Sequence, residues 1–550
     1  MSSPISPTSP RSLRSPSSPR PLGSLGSLKP VRKLALTLAA ITAASMALAG
    51  CGGGGQTQSG TGSSKPHRGG TLVVGDESQP LSGLDPILAQ AFDAKRMAAQ
   101  FYEGLLSLGP DGSTLKPALA ASWKQATPTR YEFTLRSGVT FHDGQAVKAS
   151  DVAFSLKRIA DPTVHSPYAA LYRFKDVTAP SADKVVVTLA KPQSSLLHLL
   201  AQPWSAGIVS EKWVKSQSAN DLKTKENGTG PYKLAEFREG SLIKTVRFDG
   251  YWDKPKPYID QIEYRVIPDE ATRVQALQSG TVDSIQVALP KNAASLKKRK
   301  FTVGDGYDVG AYWLGLNTLD GPLANDKVRQ AISLGIDRKQ LISIGAQGAG
   351  VVSGVIPAGD PVLSGEKTDL PNTQYDPAKA KQLLADSGAG PVKLKLAIRS
   401  NRPDKLATAQ LIKEQLSKFG VTVDIAQIPF EQLVSNLLSG KWNADMMQLT
   451  SSLNADASQY LSLWFEKNGK TTKVDDPELW QRMSDAIAKA DSAKDRTRVY
   501  QELNQYVAEK AYMLVPYASP TVYDVWSSKL AGFKTEASST RMFFKDAWIA

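Results

Sequence analysis

Few residues in this chain have the types and spacing that chemistry requires. Its four histidines, His67, His142, His165 and His198, stand far apart, and none has a cysteine or second histidine at ligand spacing. That argues against a structural zinc site. Ser295-Leu296-Lys297-Lys298 and Ser364-Gly365-Glu366-Lys367 match Ser-x-x-Lys, in which an amine could activate a hydroxyl. So short a pattern recurs by chance, and both read as surface loops. A Gly-x-Ser-x-Gly elbow is missing, as is a phosphate-cradling loop ending in Gly-Lys-Ser/Thr. The acidic pairs Asp269-Glu270 and Asp475-Asp476 read as turns or helix starts. The expectation is a protein without catalysis, without a resident metal and without a cofactor.

Cys51 is the single cysteine of 550 residues, so it closes no internal disulfide. It follows Leu48-Ala49-Gly50 at the end of an apolar run from Leu34 to Ala49, with Arg32-Lys33 ahead and Gly52-Gly53-Gly54-Gly55 behind. A positive flank, an apolar stretch and small residues at the cut are the layout of a secretory signal. The run is short for a membrane span, which needs roughly 20 residues. Cysteine after Leu-Ala-Gly resembles a bacterial lipobox, which makes Cys51 the expected lipidation site and residues 1–50 a signal peptide. Ahead of the signal, Met1 to Pro30 is rich in Ser, Pro and Arg, has no acid, and cannot build a core. A start at Val31 would give a compact signal. Residues 51–68 read as a flexible tether.

The whole chain carries a formal charge of +14. Residues 1–50 account for six basic groups and no acid, leaving 60 basic against 52 acidic groups. Lys297-Lys298-Arg299-Lys300 reads as a solvated helix end, so no nucleic-acid partner is expected. About 500 mature residues exceed what one core supports, and two or more lobes follow.

The elements that must position any site come in two styles. Toward the N-terminus, Thr71 to Val74, Tyr131 to Leu135, Lys184 to Leu189, Leu242 to Phe248 and Ile262 to Ile267 read as strands. Ser150 is an expected N-cap for a helix through Ile159. In the second half, Asp326, Asp337 and Asp376-Pro377 mark helix starts, and Gly388 and Gly420 mark ends. Strands at Val392 to Ile398 and Val421 to Ile428 flank a helix from Asp404 to Phe419, and a further strand runs from Asp445 to Leu449. That alternation predicts βαβ units and a parallel-rich sheet. The fold class is α/β, in two lobes.

Ordered stretches across nearly the whole chain from Gly69 carry a family resemblance. They include Gly70-Thr71-Leu72-Val73-Val74, Tyr102-Glu103-Gly104-Leu105-Leu106, Phe141-His142-Asp143-Gly144 and Asp151-Val152-Ala153-Phe154-Ser155. Gly228-Thr229-Gly230-Pro231-Tyr232, Tyr251-Trp252, Leu316-Asn317-Thr318 and Val328-Arg329-Gln330-Ala331-Ile332 continue the series. In order and spacing they resemble the extracytoplasmic solute-binding proteins of the peptide/nickel ABC importers, family 5.

The resemblance implies a two-lobed, periplasmic-binding-protein-like clamp of the large type. Lobe one would comprise 69–306 plus 518–550, with an inserted subdomain at about 107–205, and lobe two 307–517. The hinge would lie near Asp305 and Tyr517. A peptide-like solute would be captured by closure and delivered to permease subunits of an ABC importer. The protein would be a monomer, held to the outer face of the cell membrane by its lipid. In this family His142-Asp143-Gly144 is a structural turn. Cleft residues are expected at Ser78, Gln79, Tyr312, Trp313, Ser452, Asn454 and Asp456. Where peptide binders place an aromatic and then an acid that pairs with the ligand's ammonium, this chain has Thr450-Ser451-Ser452-Leu453-Asn454-Ala455-Asp456. Asn454 falls nearest the acid's position. Either Asp456 takes over, or the solute is another compound, such as an oligosaccharide or a metal chelate. A ligand-sensing receptor is the remaining alternative.

Overall fold

The structure is a computed structural model that describes residues 65–80, 82–89, 92–109, 114–304, 309–348, 350–356, 370–400, 402–451, 461, 464–465, 473–489, 493–520, 523–535 and 543–550. Cys51, Ser452, Asn454, Asp456 and the crossing at 305–308 lie outside these residues.

Period-two side-chain alternation lets a strand serve two cores at once, and the second half of the chain uses this fully. Its five-stranded sheet has the spatial order Val421–Ile428, Val392–Arg399, Met446–Ser451, Val309–Leu316, Met513–Pro520. Leu394, Leu396, Ile398, Tyr312, Leu314 and Met446 face a core built with helices Asp326–Leu334, Arg338–Gly345 and Pro403–Ser417. Ala397, Trp313, Met447 and Leu449 face the opposite core, with helices Phe430–Ser439, Pro477–Lys489 and Ala493–Lys510. This sheet, covered on both faces, is lobe two.

Lobe one is built on a seven-stranded sheet in the order Thr302–Val303, Tyr523–Trp526, Ser284–Val287, Thr71–Asp76, Gln261–Val266, Leu242–Arg247, Tyr232–Arg238. Leu72, Val74, Ile262 and Tyr264 pack with helix Phe92–Phe101 on one face. Leu277, Leu296 and Ile285 form a smaller core with Val525. An antiparallel sheet of Ala120–Thr127, Arg130–Leu135, Lys184–Leu189 and Phe174–Ser181 makes the inserted subdomain. Its Phe133, Val185 and Val187 belong to the same buried cluster as Leu72 and Val74, so the insert shares lobe one's core.

Several local expectations need correction. Both main sheets are mixed. In lobe two only Val392–Arg399 pairs parallel, with Val421–Ile428 and with Met446–Ser451, and Val309–Leu316 is antiparallel to both its neighbours. Helix Ala149–Ala160 starts one residue before Ser150. The Asp151 carboxylate there accepts the Lys148 N–H at 3.0 Å. Asn325, not Asp326, caps helix Asp326–Leu334, accepting the Lys327 N–H at 3.0 Å. Asp337 and Asp376 do cap their helices, and Gly388 closes one at φ +65°. The chain passes from the lobe-one sheet at Val303 to the lobe-two sheet at Val309 and returns between Pro520 and Tyr523. Pairing to the lobe-two sheet persists through Ser519 and Pro520.

Candidate functional site

The C-terminal ends of parallel strands, where the next helix begins, are common ligand positions in α/β sheets. In lobe two, Val392–Arg399 leads into helix Pro403–Ser417, and Pro403 at the first helical position supplies a preset φ and no orphan N–H. Charged residues bracket it. Arg402 donates from Nε to Asp404 Oδ1 and from Nη2 to Asp404 Oδ2, both at 2.8 Å, a two-point fork. Tyr312, 92 residues earlier, donates its hydroxyl to the same Oδ2 at 2.8 Å. Lys405 Nζ stands 3.6 Å from that oxygen and 3.1 Å above the centre of the Tyr312 ring.

Burial opposes the charge of Arg402, but the Asp404 hydrogen bonds, with Glu77 and Glu270 beyond, hold its pKa above the ordinary arginine value. Burial pushes the Lys405 amine well below the usual lysine range. Glu77 and Glu270 sit on lobe-one segments, so the Arg402 charge is read across the two lobes. The Lys291 N–H, at the start of helix Pro290–Lys298 in lobe one, donates to Gln347 Oε1 of lobe two at 3.3 Å.

The lobe-one wall follows strand Thr71–Asp76. Asp76 and Arg96 form a buried ion pair, and Arg96 also reaches Gln286 Oε1 at 3.3 Å. Ser78 donates to Asp93 Oδ2 at 2.7 Å. Burial raises the Asp93 pKa, and the Ser78 bond works in the other direction. Gln79 uses both ends of its amide on backbone, giving Nε2–H to Arg238 O at 2.7 Å and accepting Gly240 N–H at 2.6 Å. It fastens the loop to a hairpin turn.

The expected cleft residues therefore divide. Ser78 keeps hydroxyl acceptor capacity, whereas the Gln79 carboxamide holds two backbone groups. Adjacent residues on a strand diverge, so Tyr312 and Trp313 do not line one surface. Tyr312 joins the Arg402–Asp404–Lys405 cluster, and Trp313 lies in the opposite core against Trp464, ring centres 4.1 Å apart. Arg402, Asp404, Lys405, Glu77 and Glu270 were not among the expected cleft residues. The available signal was a Pro-led helix start flanked by both charge signs directly after a buried strand.

His142 meets Glu226 Oε2 at 2.7 Å through Nδ1 and Gly230 O at 3.0 Å through Nε2. Both ring nitrogens are engaged. The same carboxylate accepts the backbone N–H groups of Gly228 and Leu234. Glu103 is a second partly buried acid, held by Thr229, Tyr251 and Trp252 at 3.0–3.1 Å. Burial raises its pKa against these donors. Among the described residues no cluster of His, Cys, Asp and Glu could hold a metal ion, and no helix is long and apolar enough to cross a membrane.

The chain is similar to known proteins over most of its length. The family model for bacterial extracellular solute-binding proteins, family 5 (middle), matches residues 114–472. The di/tripeptide-binding protein 2 of Pseudomonas aeruginosa is 28% identical over 515 residues, covering 86% of this chain and 94% of the relative. The A. tumefaciens R10 binding protein AgaA, solved with agropinic acid, superposes with a TM-score of 0.77 at 26% identity, over 88% of this chain and 99% of that one. DppA of Helicobacter pylori, solved with the peptide STSA, gives a TM-score of 0.78 at 24% identity, over 88% and 98% of the two chains.

Proposed function

This chain belongs to the bacterial extracellular solute-binding proteins of family 5, and on that premise we propose a lipid-anchored receptor that closes on a peptide-like solute and delivers it to a membrane permease. Members of the family are the non-enzymatic solute-binding components of ABC importers and work outside the cytoplasm. The finer reading has three parts. Cys51 carries the lipid, and residues 51–68 give the folded body reach. The lobes hinge at the two crossings near 305–308 and 521–522. The solute lies between Ser78 with its acidic neighbours on lobe one and the Arg402–Asp404–Lys405–Tyr312 cluster on lobe two, with Ser452, Asn454 and Asp456 completing the wall.

The observation that carries this reading is the polar cluster itself. The Arg402 guanidinium, held on Asp404, and the Glu77 carboxylate on the lobe-one side bring both charge signs to the same region, as a ligand that has both would need. A peptide with a free ammonium and a free carboxylate fits that pattern. Closure is driven only by the difference in ligand affinity between closed and open states.

Isothermal titration with a di- and tripeptide panel, with small-angle scattering of the same samples, tests the proposal. Saturable binding with contraction is expected. Binding of none of the panel, or binding without contraction, rejects it. A second reading is favoured by Asn454, which cannot supply the ion pair of an acid: the solute is then an oligosaccharide, a metal chelate or another small compound lacking a free amine. Native mass spectrometry of the protein with its co-purified ligand separates the two.

A further inference from the structure

In lobe one, strand Thr71–Asp76 runs parallel to both of its neighbours, Gln261–Val266 and Ser284–Val287. The C-terminal end of such a group is a common ligand position, and acids collect there. Asp76 ends the central strand and Glu77 follows it. Asp93 lies in the first turn of helix Phe92–Phe101, and Glu270 opens helix Glu270–Gln278. Among the nearby cations, Arg96 pairs with Asp76, Lys95 turns to the Trp204 ring at 5.9 Å, and Arg273 is bonded to the carbonyls of Ile267, Pro268 and Gln286. Even with all three counted, the four carboxylates leave this wall negative.

The four acids differ in what they present to a ligand. Asp76 and Asp93 are only 7% and 5% exposed. Asp93 accepts the Ser78 hydroxyl at 2.7 Å and the Ala94 N–H at 2.8 Å. Glu270 accepts the N–H groups of Ala288 (2.8 Å) and Leu289 (3.3 Å) and the Asn292 amide (2.6 Å), which fastens the start of helix Pro290–Lys298. Glu77 is exposed. Its backbone N–H donates to Asp76 Oδ1 at 2.8 Å, so the main chain is pinned while the carboxylate stands out from the strand end. The bond from Lys291 N–H to Gln347 draws this edge of lobe one against lobe two, and the Glu77 charge acts on Arg402 there. Arg402 is itself forked to Asp404, so the facing wall is not an uncompensated positive charge. On lobe two, the position of the amine-pairing acid of peptide binders falls nearest the neutral Asn454.

Resting on the peptide reading above, we propose that Glu77 supplies the acid that Asn454 does not: the ammonium of the solute pairs with the Glu77 carboxylate on lobe one, and Asp456 is not its anchor. The ligand class is then a compound with a primary ammonium group, such as a peptide with an unblocked N-terminus. The test is isothermal titration of the purified full chain with the tightest-binding dipeptide of the panel and with the same dipeptide N-acetylated. Glu77→Gln should weaken the unblocked dipeptide about 10- to 100-fold, the equivalent of one hydrogen-bonded charge. Acetylation should weaken binding to the wild type by a similar factor, and the acetylated dipeptide should bind Glu77→Gln and wild type alike. Wild-type protein that binds both dipeptides equally overturns the proposal without recourse to any variant. So does Glu77→Gln that binds as wild type while Asp456→Asn loses affinity, or Glu77→Gln that loses both dipeptides equally; in each of these cases peptide binding itself still stands. A wild type that binds no peptide of the panel sinks the peptide reading, and this assignment with it.

Discussion

Asp404 is the acceptor on which the lobe-two cluster converges, which makes its coupling to Arg402 the sharpest quantity to measure. The perturbation is a double-mutant cycle with Arg402→Met, Asp404→Leu and the double variant. The side chains are 30% and 18% exposed, so the pair lies between two limits. Exposed pairs are worth about 0.2–1 kcal/mol, and breaking fully buried ones costs about 3–5 kcal/mol. Both bonds are 2.8 Å and form a fork, and hydrogen bonds to charged groups contribute about 1.5–3 kcal/mol. A coupling energy of about 1.5–3 kcal/mol is therefore expected. Each single variant should also lose stability, cushioned by Tyr312 and Lys405 on Asp404 and by Glu77 and Glu270 about Arg402. The assay is urea unfolding followed by tryptophan fluorescence, for which buried Trp313, Trp442 and Trp464 report on lobe two. The slope of free energy against urea must stay constant across the four proteins for the cycle to isolate the pair. A coupling under about 0.5 kcal/mol, within ordinary additivity, would refute the idea that the fork orders this wall of the cleft.

Three further outcomes are expected. Gly228→Ala puts a Cβ 1.8 Å from the carbonyl oxygen of Phe101 and 2.8 Å from Tyr102 Cδ1, and backbone cannot yield cheaply; a loss of about 3 kcal/mol or more in chemical denaturation is expected, whereas Gly240→Ala, with open space but a φ of +69°, should cost only the roughly 1–2 kcal/mol of a left-handed residue. Burial works against the Asp476 carboxylate, but bonds from Tyr506 and Tyr512 at 2.8 Å and two backbone N–H groups hold its folded pKa below 3.8. A depressed carboxylate stabilises above its unfolded pKa and loses that contribution as pH falls through the folded value, so Asp476→Asn should lower Tm at pH 7 and flatten its fall below pH 4. Cys51→Ser should release the protein from membranes into the soluble fraction, and mass spectrometry of the wild type should find a diacylglyceryl group on Cys51; an unmodified thiol on a membrane-retained protein would falsify the anchor.

Local signals predicted local structure well. Asp376-Pro377 and Gly388 delimit a helix as read, because a cap, a ring-fixed φ and a left-handed glycine act within a few residues. Errors of one residue arose where two polar candidates were adjacent. Asn325 and Asp326 are both good caps, and the backbone that chose between them depends on the turn before. Mixed pairing was not legible, since alternating strands and helices do not say which strands return beside which. The site was the least legible. Tyr312 and Trp313 are adjacent aromatics in sequence, but the pleat sends them to different cores. The Arg402–Asp404–Lys405 group gains its meaning from Tyr312, 92 positions before Asp404, and from acids on the other lobe.

Strand Tyr523–Trp526 sits inside the lobe-one sheet, between Thr302–Val303 and Ser284–Val287, with Val525 filling one of that lobe's cores. A polypeptide emerging N-terminus first must therefore release all of lobe two before lobe one can close its ladder. Until about residue 526 is free, strands Ser284–Val287 and Thr302–Val303 lack the strand that lies between them, so the integrity of lobe one is tied to the far end of the chain.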